Sequence, residues 1–233
     1  MKSIKDYIIE SLLDDEEDLV DNDDALIRSF IDTNYEIIGS YTIKNLIVDV
    51  NGNIKLKNTE LKSLTNGLFL FGEVSGVFDC YFCKSLTSLK GAPKEVGGRF
   101  YCNRCSSLKT LEGAPEKVGD NFYCGNCDLL TSLEGAPKVV GGDFNCRECK
   151  SLKTLEGAPK KTGGDFDCGN CDSLKTLEGA PKEVGGNFSC DQCKSLISLK
   201  GSPKKVGGGS FYCDLCDLLR DLKDAPKNVK IVR

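Results

Sequence analysis

Residues 122–143 read FYCGNCDLLTSLEGAPKVVGGD, and this wording returns along most of the chain. Phe78, Phe100, Phe122, Phe144, Phe166, Phe188 and Phe211 recur every 22 residues, with one extra residue, Gly209 or a neighbour, before the last. Each Phe is followed two positions later by Cys and three after that by a second Cys. Most copies continue Ser-Leu-x-x-Leu-x-Gly-Ala-Pro-x-x-Val-Gly-Gly. A fixed period of this length marks a repeat array, because one such unit cannot bury its own apolar edge and must stack on its copies.

Within a unit, Phe122-Tyr123-Cys124 alternates, with Phe and Cys on one face and Tyr on the other, as in a short strand. Cys127, Leu130 and Leu133 point back to the same interior. Gly135 and Pro137 then make a return arm, since Gly admits positive φ and Pro forbids helix, and the Gly-Gly pair after Val140 forms the last bend. Seven stacked units are expected to give a mainly β repeat solenoid. It would have a parallel sheet on its concave face at about 4.8 Å per strand and irregular convex return arms, too short for helices.

These residues resemble the leucine-rich-repeat family. Val-Gly-Gly-x-Phe-x-Cys-x-x-Cys-x-x-Leu fits its L-x-x-L-x-L-x-x-N/C-x-L pattern with one extra residue before Phe, and Cys105, Cys127 and their equivalents match its Asn/Cys position. The wording Leu-x-Gly-Ala-Pro-x-x-Val-Gly-Gly-x-Phe is also similar to short Cys-containing repeat proteins of tailed bacteriophages. The resemblance covers about residues 48 to 233 and implies the solenoid fold.

Four segments are expected: an acidic helical segment over 1–46, a degenerate first coil over 47–77, seven repeats over 78–224, and a cap strand over 225–233. In the first coil, Ile54-x-Leu56 imitates Phe-x-Cys and Val74 to Phe78 restore the pattern. At the far end, Val229 to Val232 can close the core, with Lys230 and Arg233 discouraging further stacking. Residues 1–46 carry twelve acidic and four basic side chains, a local charge of −8. Ser3-x-x-Asp6 resembles a capping box, with Ile4, Tyr7, Ile8 and Leu12 on one helical face. A second short helix is expected after Asn22, with Leu26, Phe30 and Ile31 apolar and Asp23 and Asp24 at its start. This segment reads as a cap on the first coil or as a separable docking element carrying the acidic run Asp14 to Asp18.

The chain has 14 Cys and no His. Neighbouring Cys-x-x-Cys pairs satisfy a zinc template. Against zinc, Leu56 replaces the first Cys in the degenerate coil, that Cys must lie in a strand, and seven pairs do not divide into four-thiolate sites. Stacked core thiols with no cofactor are therefore expected; if zinc binds, its ligands are Cys80, Cys83, Cys102, Cys105, Cys124 and Cys127. The N-terminus lacks a signal-peptide pattern, which points to a reducing cytoplasm and against disulfides.

Without His, Ser-His-Asp and Cys-His catalysis are excluded, and every Asp and Glu sits in a repeated slot or the acidic leader. An enzyme is not expected. The Lys row at 94, 138, 160, 182, 204 and 227 faces the Glu row at 112, 134, 156 and 178, so it reads as a balanced, solvated surface. Nucleic acid and membrane are not expected partners. Positions that the repeat leaves free carry the specificity. The middle outward column reads Asp79, Tyr101, Tyr123, Asn145, Asp167, Ser189 and Tyr212, flanked by Arg99, Asn121, Tyr81, Asn103 and Arg147, with Phe82 and Arg104 at the bend. Tyr and Arg are enriched at binding hot spots. The expected contact surface is therefore Tyr81, Arg99, Tyr101, Asn103, Arg104, Asn121, Tyr123, Asn145, Arg147 and Tyr212, on a monomer that binds a protein, plausibly of a phage host, and inhibits it. A structural or virion-associated protein docked by its N-terminal helices is the alternative.

Overall fold

The computed structural model describes residues 16–227 and 229–233 and shows a mainly β, parallel-stranded solenoid, with one helix among those residues. Helix α1 (Glu16–Asn34) runs into β1 (Tyr35–Lys44), which pairs antiparallel with β2 (Ile47–Leu56). β3 (Leu70–Val74) and β4 (Phe78–Asp79) follow, both parallel to β2. Short strands then alternate: β5 (Glu95–Val96), β6 (Phe100–Tyr101), β7 (Lys117–Val118), β8 (Phe122–Tyr123), β9 (Val139–Val140) and β10 (Phe144–Asn145). The series continues with β11 (Lys161–Thr162), β12 (Phe166–Asp167), β13 (Glu183–Val184), β14 (Phe188–Ser189), β15 (Lys205–Val206), β16 (Ser210–Tyr212) and β17 (Lys230–Val232).

Even-numbered strands from β4 stack in register into a Phe ladder, Phe144 between Phe122 and Phe166. Odd-numbered strands from β3 to β15 stack into a second, Val ladder, with Val118 beside Val140, while β17 adds to the Phe ladder on β16. The return arm is thus more regular than its Gly and Pro content suggests. Any extended dipeptide that recurs at the same place in every coil meets its copy at strand spacing, so its N–H and C=O groups pair between coils.

Inside, the Phe, both Cys and the first Leu of each repeat are buried, as are the second Leu and the Val, except that Thr162 takes one Val position and that Leu222 and Val229 of the last repeat are half-buried. Successive Phe rings stack at centroid distances of 5.1, 5.4, 5.2, 5.2, 5.4 and 5.1 Å. Each buried aromatic contributes on the order of 2–3 kcal/mol. Ile54 lies beneath Phe78 in the first coil and Ile231 above Phe211 in the last, so aliphatic residues end the aromatic column.

Glycines are required by how closely the coils approach. Gly135 has φ +88, and a Cβ there would lie 2.5 Å from Glu112 N in the coil below. A Cβ on the first Gly of each Gly-Gly pair would strike the carbonyl oxygen of the coil below, as at Gly141 over Gly119 and Gly163 over Gly141. Gly207 and Gly208 keep this stacking, so Gly209 is the inserted residue; it has φ +78 and open space where a Cβ would be.

The N-terminal reading needs correction. Helix α1 starts before Asn22 and runs unbroken to Asn34, so Asp23 and Asp24 lie inside it. Ile27, Ile31 and Asn34 form its buried face, while Leu26 is 53% exposed. Burying two Ile side chains outweighs the sub-kcal/mol cost of an interior Asn. Residues 35–44, assigned above to the helical segment, are strand, because Tyr35, Ile37, Tyr41 and Ile43 alternate at period two. The capping box at Ser3 and the face from Ile4 to Leu12 lie outside the described residues.

The stacking makes a direct prediction. Gly163→Ala should destabilise by about 2 kcal/mol or more, because its methyl meets backbone, whereas Gly209→Ala should cost about 1 kcal/mol for its positive φ alone. Urea denaturation of the two variants against the parent tests the ranking.

Candidate functional site

The outward face of the Phe ladder is knit by side chains that bridge coils. Just before each Phe, Asn121 Oδ1 accepts from Asp143 N at 2.8 Å, Asp143 from Asp165 N at 2.8 Å, and Asp165 from Asn187 N at 2.6 Å. The second Gly of each pair makes room for this ladder: a Cβ on Gly142, Gly164 or Gly186 would collide with the Oδ1 of Asn121, Asp143 or Asp165. One coil departs in both places together. Arg99 offers no acceptor, and above it Asp120 replaces Gly and receives Arg99 Nε at 3.0 Å.

Asp and Asn in the middle column close local turns: Asp79, Asn145 and Asp167 accept from the N–H two residues on. Those turns lead into the bend. The third residue of every Cys-x-x-Cys, Phe82, Arg104, Asn126, Glu148, Asn170, Gln192 and Leu215, is left-handed with φ between 54 and 64. Asn tolerates that conformation; Phe and Leu do not do so readily.

The thiols are part of the same ladder. The second Cys donates to the carbonyl of the first Cys one coil below, in Cys105 to Cys80 at 3.2 Å, Cys127 to Cys102 at 3.3 Å and Cys149 to Cys124 at 3.3 Å. Cys102 and Cys168 donate upward to the carbonyls of Tyr123 and Ser189, both at 3.3 Å. Among the described residues no three His, Cys, Asp or Glu are placed to hold a metal ion. Shared hydrogen bonds with Cys105 hold the Cys80 and Cys83 thiols well above the usual range. Burial raises Cys102, Cys124 and Cys146 well above it, and raises Cys149 and Cys193 to about 12. Under native reduced conditions, Ellman's reagent should titrate few of the 14 thiols at pH 8 and all of them in denaturant.

Arg147 crosses a whole coil. Its guanidinium forms a bidentate pair with Asp191 at 2.8 and 2.9 Å and lies 3.5 Å from Asp167. It passes over Gly169, where a Cβ would strike Nη1, so the Gly of Cys168-Gly-Asn-Cys171 exists to let it through. Hydrogen bonding from Arg147 holds the Asp191 carboxyl below its ordinary range, while burial raises Asp167.

The ten expected contact residues therefore divide. Tyr81 and Arg104 are exposed, with the Arg104 guanidinium 6.0 Å from the Tyr81 ring centroid. Tyr101 and Tyr123, half-buried, stack face to face at 5.0 Å and 6°. Arg99 is exposed beside them, and the Asn103 Oδ1 is buried without a partner. Phe82, 41% exposed, packs against Tyr81 at 6.0 Å, with Lys84 Nζ 4.4 Å from its ring centroid. These residues form one surface on the first three coils. Asn121, Asn145 and Arg147 are engaged within the solenoid instead, and Tyr212 lies five strands up the ladder from Tyr101. Neither the Asx ladder nor the Arg147 bridge is legible in the repeat period, although Gly at 125 and 169, on either side of Arg147, was the available signal.

Arg147→Ala leaves buried Asp191 without a cation, held only by Ser189 and Gln192, and should cost about 2 kcal/mol at pH 7. A carboxylate whose folded pKa is depressed contributes stability above its unfolded value near 3.9, and loses it as pH falls through the folded value. The gap between variant and parent should accordingly narrow below about pH 4, as chemical denaturation across pH will show.

Compared with known proteins, the chain matches no family model, no curated protein and no solved structure.

Proposed function

We propose that this chain is a protein-interaction module, not an enzyme, and that it binds through the aromatic and arginine surface formed by Tyr81, Phe82, Arg99, Tyr101, Arg104 and Tyr123. One observation carries the reading: Phe82 holds an exposed ring in a left-handed conformation. That geometry costs a bulky residue on the order of 1–2 kcal/mol, and Asn126 and Asn170 show which residue relieves it in the same slot. Exposed aromatic area retained at a cost to stability is expected of a binding hot spot. The surrounding tyrosines and arginines add contact area with little entropy loss on binding.

The partner class follows from the resemblance to repeat proteins of tailed bacteriophages: a host protein, met in a reducing cytoplasm and inhibited by capture. Among the described residues, no helix is long and apolar enough to cross a membrane. Docking through the N-terminal segment is the competing reading. Deleting residues 1–46 would not separate docking from folding, because Ile27, Ile31 and Tyr35 belong to the core.

Phe82→Asn should raise stability by about 1 kcal/mol while weakening partner binding at least tenfold, as should Tyr101→Ala with Tyr123→Ala for binding. Quantitative mass spectrometry of proteins captured from reduced host lysate, followed by titration of the purified partner, measures the loss. A partner that binds all variants equally overturns the assignment of this surface.

A further inference from the structure

The N-terminal end of the solenoid closes its core but, among the described residues, leaves a strand edge unpaired. Ten-residue β1 pairs, among the described residues, only with β2. The other end is blunt by comparison, since β17 has three residues, begins with Lys230 and is followed by Arg233. A long edge strand without Pro, charged only near its ends, is a template for further pairing.

The backbone of β2 shows which groups of β1 face outward. Ile54 N donates to Val77 O, Gly52 N to Ser75 Oγ, and Val50 O accepts from Ser75 N, so these three residues are turned away from β1. Their opposite numbers on β1 are Ile37, Gly39 and Tyr41. By the alternation of an antiparallel ladder, Tyr35, Ile37, Gly39, Tyr41 and Ile43 point their N–H and C=O groups at the free edge. Their side chains share the core-side face, where Ile37, Tyr41 and Ile43 remain only partly buried. Glu36, Ile38, Ser40, Thr42 and Lys44 line the exposed face.

We propose that the occupant of this edge is the β1 strand of a second copy of the chain, paired antiparallel about a two-fold axis at Ser40. Outward-facing residues must meet outward-facing residues, which restricts a symmetric pairing to one centred on a residue. Centred on Ser40, Glu36 faces Lys44, Ile37 faces Ile43, and Gly39 faces Tyr41, each twice. Opposite charges, matched β-branched residues and an aromatic ring over a glycine are all favourable cross-strand neighbours. Centred on Gly39 instead, Glu36 would face Thr42 and the charge pairs would be lost. The dimer completes burial of the half-exposed Ile37, Tyr41 and Ile43 and joins two solenoids head to head through one continuous sheet.

Sedimentation velocity on the full chain, reduced and over a wide concentration range, tests this. The parent should be a dimer. Lys44→Glu and Glu36→Lys, both at exposed positions, should each weaken it about tenfold by setting like charges opposite one another, and the double reversal should restore it. Thermal unfolding followed by circular dichroism confirms that each variant is folded. A monomeric parent, a dimer indifferent to either reversal, or a double variant that stays weak would each overturn the proposal.

Discussion

Every coil of this protein lies one strand spacing above the last, so the nearest neighbour of each residue is its own copy. That constraint governs the rest. A Phe must be able to stack on Phe, a thiol must find a carbonyl on an adjacent coil, and a glycine is needed wherever backbone meets backbone. Where like would meet like unfavourably, the structure alternates partners between coils, as in Lys117 with Glu95 and Lys138 with Glu116.

The same constraint explains why cysteine fills two positions per coil. The site next to Phe needs a small, apolar side chain, and a weak donor there can reach the carbonyl of the adjacent coil without forcing an unsatisfied polar group into the core. Leu56, the last residue of hairpin strand β2, stands in the first-Cys position and is also buried.

Departures from the repeat are where individual character enters, and they come in coupled sets. Arg99 goes with Asp120 one coil up, and Arg147 with Gly169 and Asp191 over the next two. Such residues look like free functional groups when columns are read along the sequence, yet their partners lie 21 and 44 residues away. The surface on the first three coils stays aromatic and cationic because Tyr81, Phe82 and Arg104 are exposed, and Arg99 keeps an exposed face although it pairs with Asp120.

The period, the buried residue types and the identity of the ladder positions were legible in the sequence alone, because in a stacked array local pattern and tertiary neighbour coincide. Phe122-Tyr123-Cys124 needed no distant information to be placed as strand with Phe and Cys inward. Tertiary structure alone decided the second ladder, since the return arm is held extended by its copies and not by its own propensity. It also decided the run of α1 through Asn22, where buried Ile27 and Ile31 carry the helix past residues that read locally as a helix start, and the division of the outward face. Whether Arg147 is available or bound depends on an Asp two coils away, and local sequence carries no information about the reach of a side chain across a backbone it has yet to meet.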